Sequence, residues 1–582
     1  MFFINLHHFS IFAVYTETEF YKNDNSGGME LKSLFSTRNR MLQTMVVTGI
    51  IALLASGCWN GGTAKDHTNM DHASMSNKQD SKLTSNTDTD TVKEIVKRTV
   101  TTPTVDGTSL TITAQPSNLE VSNGVVLPVW TFNNSVPGPQ IRVKVGDTVK
   151  IKLENELPEP VSIHWHGYPV PNGMDGIPGV TQDAVVPGKS FIYEFKATVP
   201  GTYWYHSHQD SVNQVDKGLY GSLIVEDPKE QVDRDYTLVL DEWISTGKMD
   251  TERADENQSN NQSDMSGMDH SKMNMSKSGM SGMDHGTMSM GGHDMSMYDL
   301  FTMNGKSGDA IEPLMVKQGE KVRIRLINAG YLSHQMHLQG HEFKVIAMDG
   351  QSVNSPAVIQ DQVISIAPGE RYDLEFVADN PGTWLLDEHS KEERARNMRA
   401  VIHYEDFTQQ AAKSDAWETL PQFNLAAYGK MAETAFTLDQ TYDQQVMMNL
   451  NTEMRNGEMV YTINGKVFPD TDKIKVAKGD KVMVTFVNQS PTDDHPMHLH
   501  GHFFQVLSRN GQPLQGSPVV KDTLNVKPGE QYVIAFEADN PGDWMFHCHD
   551  LHHASAGMVT DVTYKDYKST YVPDPNVPNK PE

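Results

Sequence analysis

Cysteine is almost missing: the chain has two, Cys58 and Cys548, in 582 residues. A fold stapled together by disulfides is thereby excluded. Long apolar runs are missing too. The longest, Met45–Ala55 (MVVTGIIALLA), is too short to cross a bilayer as a mature helix. A mean hydropathy of −0.50 excludes a multi-span membrane protein. Positive charge is scarce: 48 Lys and Arg stand against 75 Asp and Glu, a net charge of −27. That is the wrong sign for a surface that neutralises phosphates, so no nucleic-acid partner is expected. The charged fraction of 21% is ordinary, which argues against wholesale disorder. What is plentiful is methionine (32) and histidine (24). Thioether and imidazole are soft and borderline ligands, and together they suit copper.

The first part of the chain reads as an address. Arg38 and Arg40 precede the apolar run, and Ala55-Ser56-Gly57-Cys58 follows it. A basic region, an apolar region and small residues make a secretory signal. The cysteine directly after the small residues resembles a bacterial lipoprotein processing site, so Cys58 is expected to carry a lipid anchor. Met29 or Met41 is the better start, which makes residues 1–28 an upstream extension within a 1–58 leader. Residues 59–96 are rich in Ser, Thr, Asp, Asn and Lys and read as a flexible tether. The expectation is a body held outside the cytoplasm, on the outer face of the cell membrane.

The remainder repeats itself. PGPQIRVKVGDTVKIKLEN ends at Asn155, EPLMVKQGEKVRIRLIN at Asn328 and DKIKVAKGDKVMVTFVN at Asn488. Apolar and polar residues alternate on both sides of a Gly-Asp or Gly-Glu turn, a strand–turn–strand pattern. WTFNNS, FTMNGK and YTINGK precede these units. VVPGKSFIYEF, IAPGERYDLEF and VKPGEQYVIAF follow them, and then PGTYWYHSH, PGTWLLDEH and PGDWMFHCH. Short strands with Pro-Gly turns predict three all-β sandwich domains at 97–228, 229–408 and 435–570, with a linker at 409–434 and a tail at 571–582.

Four short motifs carry the chemistry: His164-Trp165-His166, His206-Ser207-His208, His495-Pro496-Met497-His498-Leu499-His500, and His547-Cys548-His549 followed by His553 and Met558. Along a strand, residues i and i+2 face the same side. Each His-x-His pair therefore aims two imidazoles together, while Cys548 points away from its histidine neighbours. With His495, His553 and Met558, Cys548 can form a Cys-His-His site with a weak axial Met, the ligand set of a blue electron-transfer copper.

These motifs resemble the four signatures of the multicopper oxidases, and the repeated unit resembles the cupredoxin fold. The resemblance covers 97–570 and implies three cupredoxin-like Greek-key β-sandwich domains. It implies four copper ions. His495, Cys548, His553 and Met558 would hold the type-1 copper, and His164 and His498 the type-2 copper. His166, His206, His208, His500, His547 and His549 would hold the type-3 pair. The catalytic residues would be Cys548, His547 and His549, which link the type-1 site to the cluster where O2 is reduced, and Asp175. The offset of Asp175 from His164 matches the family's acid near the type-2 copper. Related copper-resistance oxidases carry a carboxylate just after the last type-1 histidine, where this chain has Ala554; Asp550 and His552 are the nearby alternatives.

The middle domain departs from the pattern. His334-Gln335-Met336-His337-Leu338-Gln339-Gly340-His341 aligns with His495–His502, but Gln339 replaces a histidine, and Asp387-Glu388-His389 replaces His547-Cys548-His549. Without a thiolate no blue copper can form there. His334, His337 and His341 are expected to serve packing or hydrogen bonding, and the domain to act mainly as a spacer. It also carries an insertion at 251–297, in which residues 265–297 hold ten Met and three His. Met-Asp-His-x-x-Met recurs at 268–273 and 283–288, and again at 70–75 in the tether. Such a segment suits capture of Cu(I). Asp493 and Asp494, beside His495, could bind substrate copper or simply end a strand. The expected protein is a monomeric oxidase that takes electrons from Cu(I) or small phenolic reductants and passes them to O2 in copper tolerance. The alternatives are a general laccase or a Cu(I)/Ag(I) sequestration protein with incidental oxidase activity.

Overall fold

Alternation at period two dictates half-buried strands, and the computed structural model is built from them. It describes residues 103–245, 295–407 and 418–582. Cys58, the tether and nearly all of the Met-rich insertion lie outside these. The strands form six sheets in three successive pairs, of four and four, six and five, and seven and five strands. Each pair is a cupredoxin-like sandwich.

The three repeats occupy equivalent places. Thr148–Asn155, Lys321–Asn328 and Lys481–Asn488 each pair in parallel with one neighbour and antiparallel with the other. Lys481–Asn488 alternates strictly between buried and half-buried positions, as the alternating pattern requires. The three aligned asparagines do one job. Asn155 Nδ2 donates to the carbonyls of Glu159 and Val185, Asn328 Nδ2 to Leu332 and Ile366, and Asn488 Nδ2 to Asp493 and Val526. Each amide closes the loop after its strand by satisfying buried carbonyls that would otherwise be orphaned. The Asn304-Gly305 and Asn464-Gly465 turns hold positive φ at both residues, the geometry that matches strand twist and favours Asn-Gly.

Five strands position the functional side chains: β1 (Gly201–His206), β2 (His334–Leu338), β3 (Thr383–Glu388), β4 (His495–Leu499) and β5 (Asp543–Cys548). One short helix, α1 (Leu551–Ser555), follows β5. The second and third sandwiches share one contiguous set of buried apolar residues. The segment at 418–434 helps join them: Gln422 bridges to Val363, and the Tyr428 carbonyl accepts from Ser517 N at 2.7 Å. The segment expected as a tail at 571–582 packs back onto the first sandwich. Tyr571 and Asn579 both donate to Asp183, at 2.6 and 2.8 Å.

Candidate metal centre

The register of β4 against β5 sets the first site. Met497 lies opposite Cys548, and His498 opposite His547. Cys548 Sγ is 3.8 Å from His495 Nδ1 and 3.5 Å from His553 Nδ1, and these two nitrogens are 3.2 Å apart. Each ring is held from behind. His495 Nε2 meets Ser490 Oγ at 2.7 Å, and His553 Nε2 meets Asp550 Oδ2 at 3.2 Å. Asp550 also caps α1, accepting from the amides of His552 and His553, which is why His553 turns back toward Cys548. Tyr461 stacks on the His553 ring at 3.9 Å. Met558 is fully buried, and its carbonyl accepts from Cys548 N at 3.1 Å, which fixes its backbone beside Cys548. Burial pushes both imidazoles down, His495 and His553 to about 3, so each presents a lone pair. Burial raises the Cys548 thiol, so its thiolate needs a cation beside it.

Eight histidines meet where the first and third sandwiches face each other. A β-bridge sets His164 against His206 of β1. Ring nitrogens gather in three sets, within 4.8 Å in each: His164, His166 and His498; His166, His206 and His549; His208, His500 and His547. All eight are at most 2% exposed. Their tautomers follow from acceptors behind the rings. The Nδ1–H of His164 donates to the Asp175 carbonyl at 2.8 Å, that of His206 to Ser207 at 2.8 Å, and that of His208 to Pro581 at 2.5 Å. Those of His498 and His547 donate to the carbonyls of Asp522 and Cys548, at 3.0 and 2.9 Å. Among the described residues, the Nε2 atoms of His164, His206, His208 and His498 are buried without a hydrogen-bond partner, as is Nδ1 of His166. Buried lone pairs converging without donors are what a metal cluster requires and a hydrogen-bonded core avoids. Copper fits this donor set.

Asp175 stands where the sequence put it. Its Oδ2 accepts from His500 Nδ1 at 3.0 Å, its carbonyl orients His164, and it is 1% exposed. Gly176 has φ 81°, and a Cβ there would sit 1.8 Å from the Ile163 carbonyl oxygen, so only glycine lets this turn press against the histidine strand. Ala554 is buried among Ile177, Met545 and Val559. Asp493 and Asp494 are engaged structurally, accepting from Thr452 Oγ1 at 2.6 Å and Asn525 Nδ2 at 2.8 Å.

Three contributors were not visible in the motifs. Asp522 lies behind the cluster, with Oδ1 3.3 Å from His166 Nε2 and 3.4 Å from His498 Nδ1. Arg371 of the middle sandwich clamps it with two hydrogen bonds of 2.7 and 2.6 Å. Arg371 also donates to the Thr202 carbonyl in the first sandwich at 3.2 Å. The middle domain is therefore more than a spacer: it supplies the cation behind the cluster. Third, the segment at 578–582 closes one side. Besides the Pro581 carbonyl on His208, Glu582 Oε1 lies 3.4 Å from His547 Nδ1, and Oε2 accepts from Ser211 Oγ at 2.7 Å. Burial pushes the Glu582 carboxyl up to about 8, against the Ser211 hydrogen bond. In the middle domain, His334 pairs with Glu242 at 3.1 Å. His341 bonds Tyr404 as His502 bonds Tyr564, at 2.8 and 2.7 Å. His334 and His341 serve packing and hydrogen bonding; His337 faces Asp387 at 3.7 Å and Asp361 at 3.6 Å.

Residues 113–230, 234–406 and 437–568 each match the multicopper oxidase family. The chain is 31% identical over 467 residues to the multicopper oxidase MmcO of Mycobacterium tuberculosis, covering 78% of this chain and 86% of that protein. It is 24% identical over 563 residues to a copper resistance protein A homolog of Pseudomonas syringae pv. tomato, covering 79% and 93%. Among solved structures it superposes on a multi-copper oxidase from Pseudomonas thermotolerans with a TM-score of 0.56 and 25% identity, over 79% of this chain and all of that one. The laccase of Botrytis aclada shares the fold, with a TM-score of 0.60 at 24% identity over 81% and 90%. The chain belongs to the multicopper oxidase family, oxidoreductases that carry one type-1, one type-2 and a type-3 pair of copper ions and use O2.

Proposed function

We propose that this oxidase turns Cu(I) into Cu(II) outside the cytoplasm, anchored through Cys58, and thereby confers copper tolerance. In balance, four Cu(I), one O2 and four protons become four Cu(II) and two water molecules. His495, Cys548, His553 and Met558 would hold the type-1 copper, and His164 and His498 the type-2 copper. His166, His206 and His549 would hold one type-3 copper, and His208, His500 and His547 the other. The bound coppers supply one-electron redox chemistry and the binding of O2.

The observation that carries this reading is the placement of His547 and His549. They flank Cys548 in sequence yet join different histidine triads. Electrons taken up at Cys548 thus have two short covalent routes to the place where O2 is reduced. Asp175 is a positioning residue: one carboxylate oxygen holds His500, and its carbonyl holds His164. Glu582 lies beside His547 and His208, where burial raises its carboxyl and favours the protonated form. Since Ala554 offers no carboxylate, we infer that Glu582 is the nearby acid that delivers protons. An Asp175→Asn variant is expected to slow O2 reduction about 10- to 100-fold with the blue absorbance intact. Loss of the blue band would make Asp175 structural instead.

Cu(I) is favoured over organic donors by the ten Met and three His of 265–297. The test is O2 uptake driven by Cu(I) and by a phenol, in the full chain and after deletion of 265–297. A fall in the Cu(I) rate alone supports delivery by the insertion. Unchanged rates with the phenol faster would favour a general laccase, and excess bound Cu(I) with little turnover a sequestration protein.

A further inference from the structure

The strand pair that builds half of the trinuclear cluster has a counterpart in the middle sandwich. On β4 and β5, His498 lies opposite His547; on β2 and β3, His337 lies opposite Asp387. The match extends one step further. His549 N donates to the Pro496 carbonyl and His389 N to the Gln335 carbonyl, both at 2.6 Å. The backbone that brings His498, His547 and His549 to the cluster, each into a different triad, is thus present twice. In the second copy it carries His337, Asp387 and His389.

We propose that these three side chains form a further metal site for a divalent cation of borderline softness, such as Zn2+. His337 is 5% exposed, and neither ring nitrogen has a hydrogen-bond partner among the described residues. An imidazole buried in that state loses the hydration of two polar atoms for long contacts to two carboxylates, a poor exchange unless an ion shares the space before it. What stands before it is a carboxylate. His337 Nδ1 is 3.7 Å from Asp387 Oδ1, and Asp387 Oδ2 is 3.7 Å from His389 Nδ1. These gaps are too long for hydrogen bonds. They are near the roughly 3.4 Å that separates two ligands sharing one tetrahedral ion with bonds of about 2.0–2.2 Å. The histidine rings face each other edge-on at 4.9 Å.

The surroundings orient the ligands as metal sites do. His389 Nε2–H donates to the Glu418 carbonyl at 2.9 Å, which fixes the ring with Nδ1 on the side of Asp387. Asp361 Oδ1 lies 3.6 Å from His337 Nε2, behind the ring. Gln339 Nε2 donates to Asp387 Oδ1 at 3.3 Å and fixes that carboxylate. Burial lowers His337, against the opposing pull of Asp387, so the ring stays a neutral donor. Two imidazoles and one carboxylate without a thiolate suit Zn2+ or Cu2+ and do not select Cu(I). With Asp387 side chain 19% and His389 9% exposed, an ion can enter from solvent.

The test is Zn2+ titration of the copper-loaded full-length protein, with bound metal counted by mass spectrometry after dialysis. His337→Gln and Asp387→Asn are compared with the wild type, and His403→Gln serves as a control on the same domain. The wild type and the control are expected to retain one more Zn2+ per chain than His337→Gln, and Asp387→Asn to bind that ion at least tenfold more weakly. Blue absorbance reports that each variant is folded, and either variant alone suffices. Equal Zn2+ uptake by a folded His337→Gln or Asp387→Asn variant and the wild type would overturn the site and leave a hydrogen-bonding cluster.

Discussion

Replacing Arg371 by Met is expected to destabilise the folded protein by about 3–5 kcal/mol, among the largest effects available to one substitution. Arg371 is fully buried and touches all three sandwiches: the Thr202 carbonyl in the first, the Gly369 carbonyl in the second and the Asp522 carboxylate in the third. Methionine fills most of the volume but leaves Asp522 buried without its cation, with only the Thr523 hydroxyl and neutral imidazoles beside it. Burial alone would raise the Asp522 carboxyl; the guanidinium overrides it and holds the group well below the usual carboxylate range. The sign of the pH dependence follows. In the wild type this depressed group contributes stability above the ordinary Asp range, and that contribution is lost as pH falls toward the folded value. In the variant the carboxyl rises instead, so the defect is greatest at neutral pH and shrinks toward pH 4. Urea unfolding midpoints at pH 7 and pH 4.5 check this. Arg371→Lys should recover only part of the loss, because an ammonium cannot make the paired contacts of 2.7 and 2.6 Å. A Met variant as stable as the wild type at pH 7 would show that the clamp does not hold the sandwiches together.

Removing residues 578–582 is expected to lower O2 reduction about 10- to 100-fold while sparing the blue absorbance. This segment supplies the Pro581 carbonyl that sets the His208 tautomer and the Glu582 carboxyl beside His547. It is held by the Gln209 side chain, which donates to the Pro578 carbonyl at 2.9 Å and accepts from Lys580 N at 2.9 Å. The Cys548 site draws its partners from Ser490, Asp550 and Tyr461 instead and should stay formed. Glu582→Gln separates two contributions, since it keeps the backbone and removes the proton. Loss of activity in the truncation alone assigns the effect to the His208 tautomer; loss in both assigns it to the carboxyl. Copper content and O2 uptake are the measurements. Full activity in both would remove the segment from the oxygen chemistry.

Much of the centre was legible because its ligands are local. A His-x-His pair on a strand aims both rings one way whatever surrounds it, and Cys548 between two histidines must face the other side. The repeats were legible for a similar reason. Period-two alternation and the closing Asn155, Asn328 and Asn488 are written within each unit. The failure of the middle domain to form a blue site also needed no structure, since Glu388 stands in place of the thiolate.

What the chain alone determined, then, is chemistry carried by near neighbours: the donor types, their pairing along strands and the threefold repeat. Only the tertiary structure decided which pairs meet. It brought Arg371 to Asp522, residue 581 to residue 208, and His337 opposite Asp387. The physical reason is separation. These partners lie 50 to 373 residues apart, and no local period encodes contacts that exist only after sheets have twisted, sandwiches have docked and buried polar groups have sought their charges.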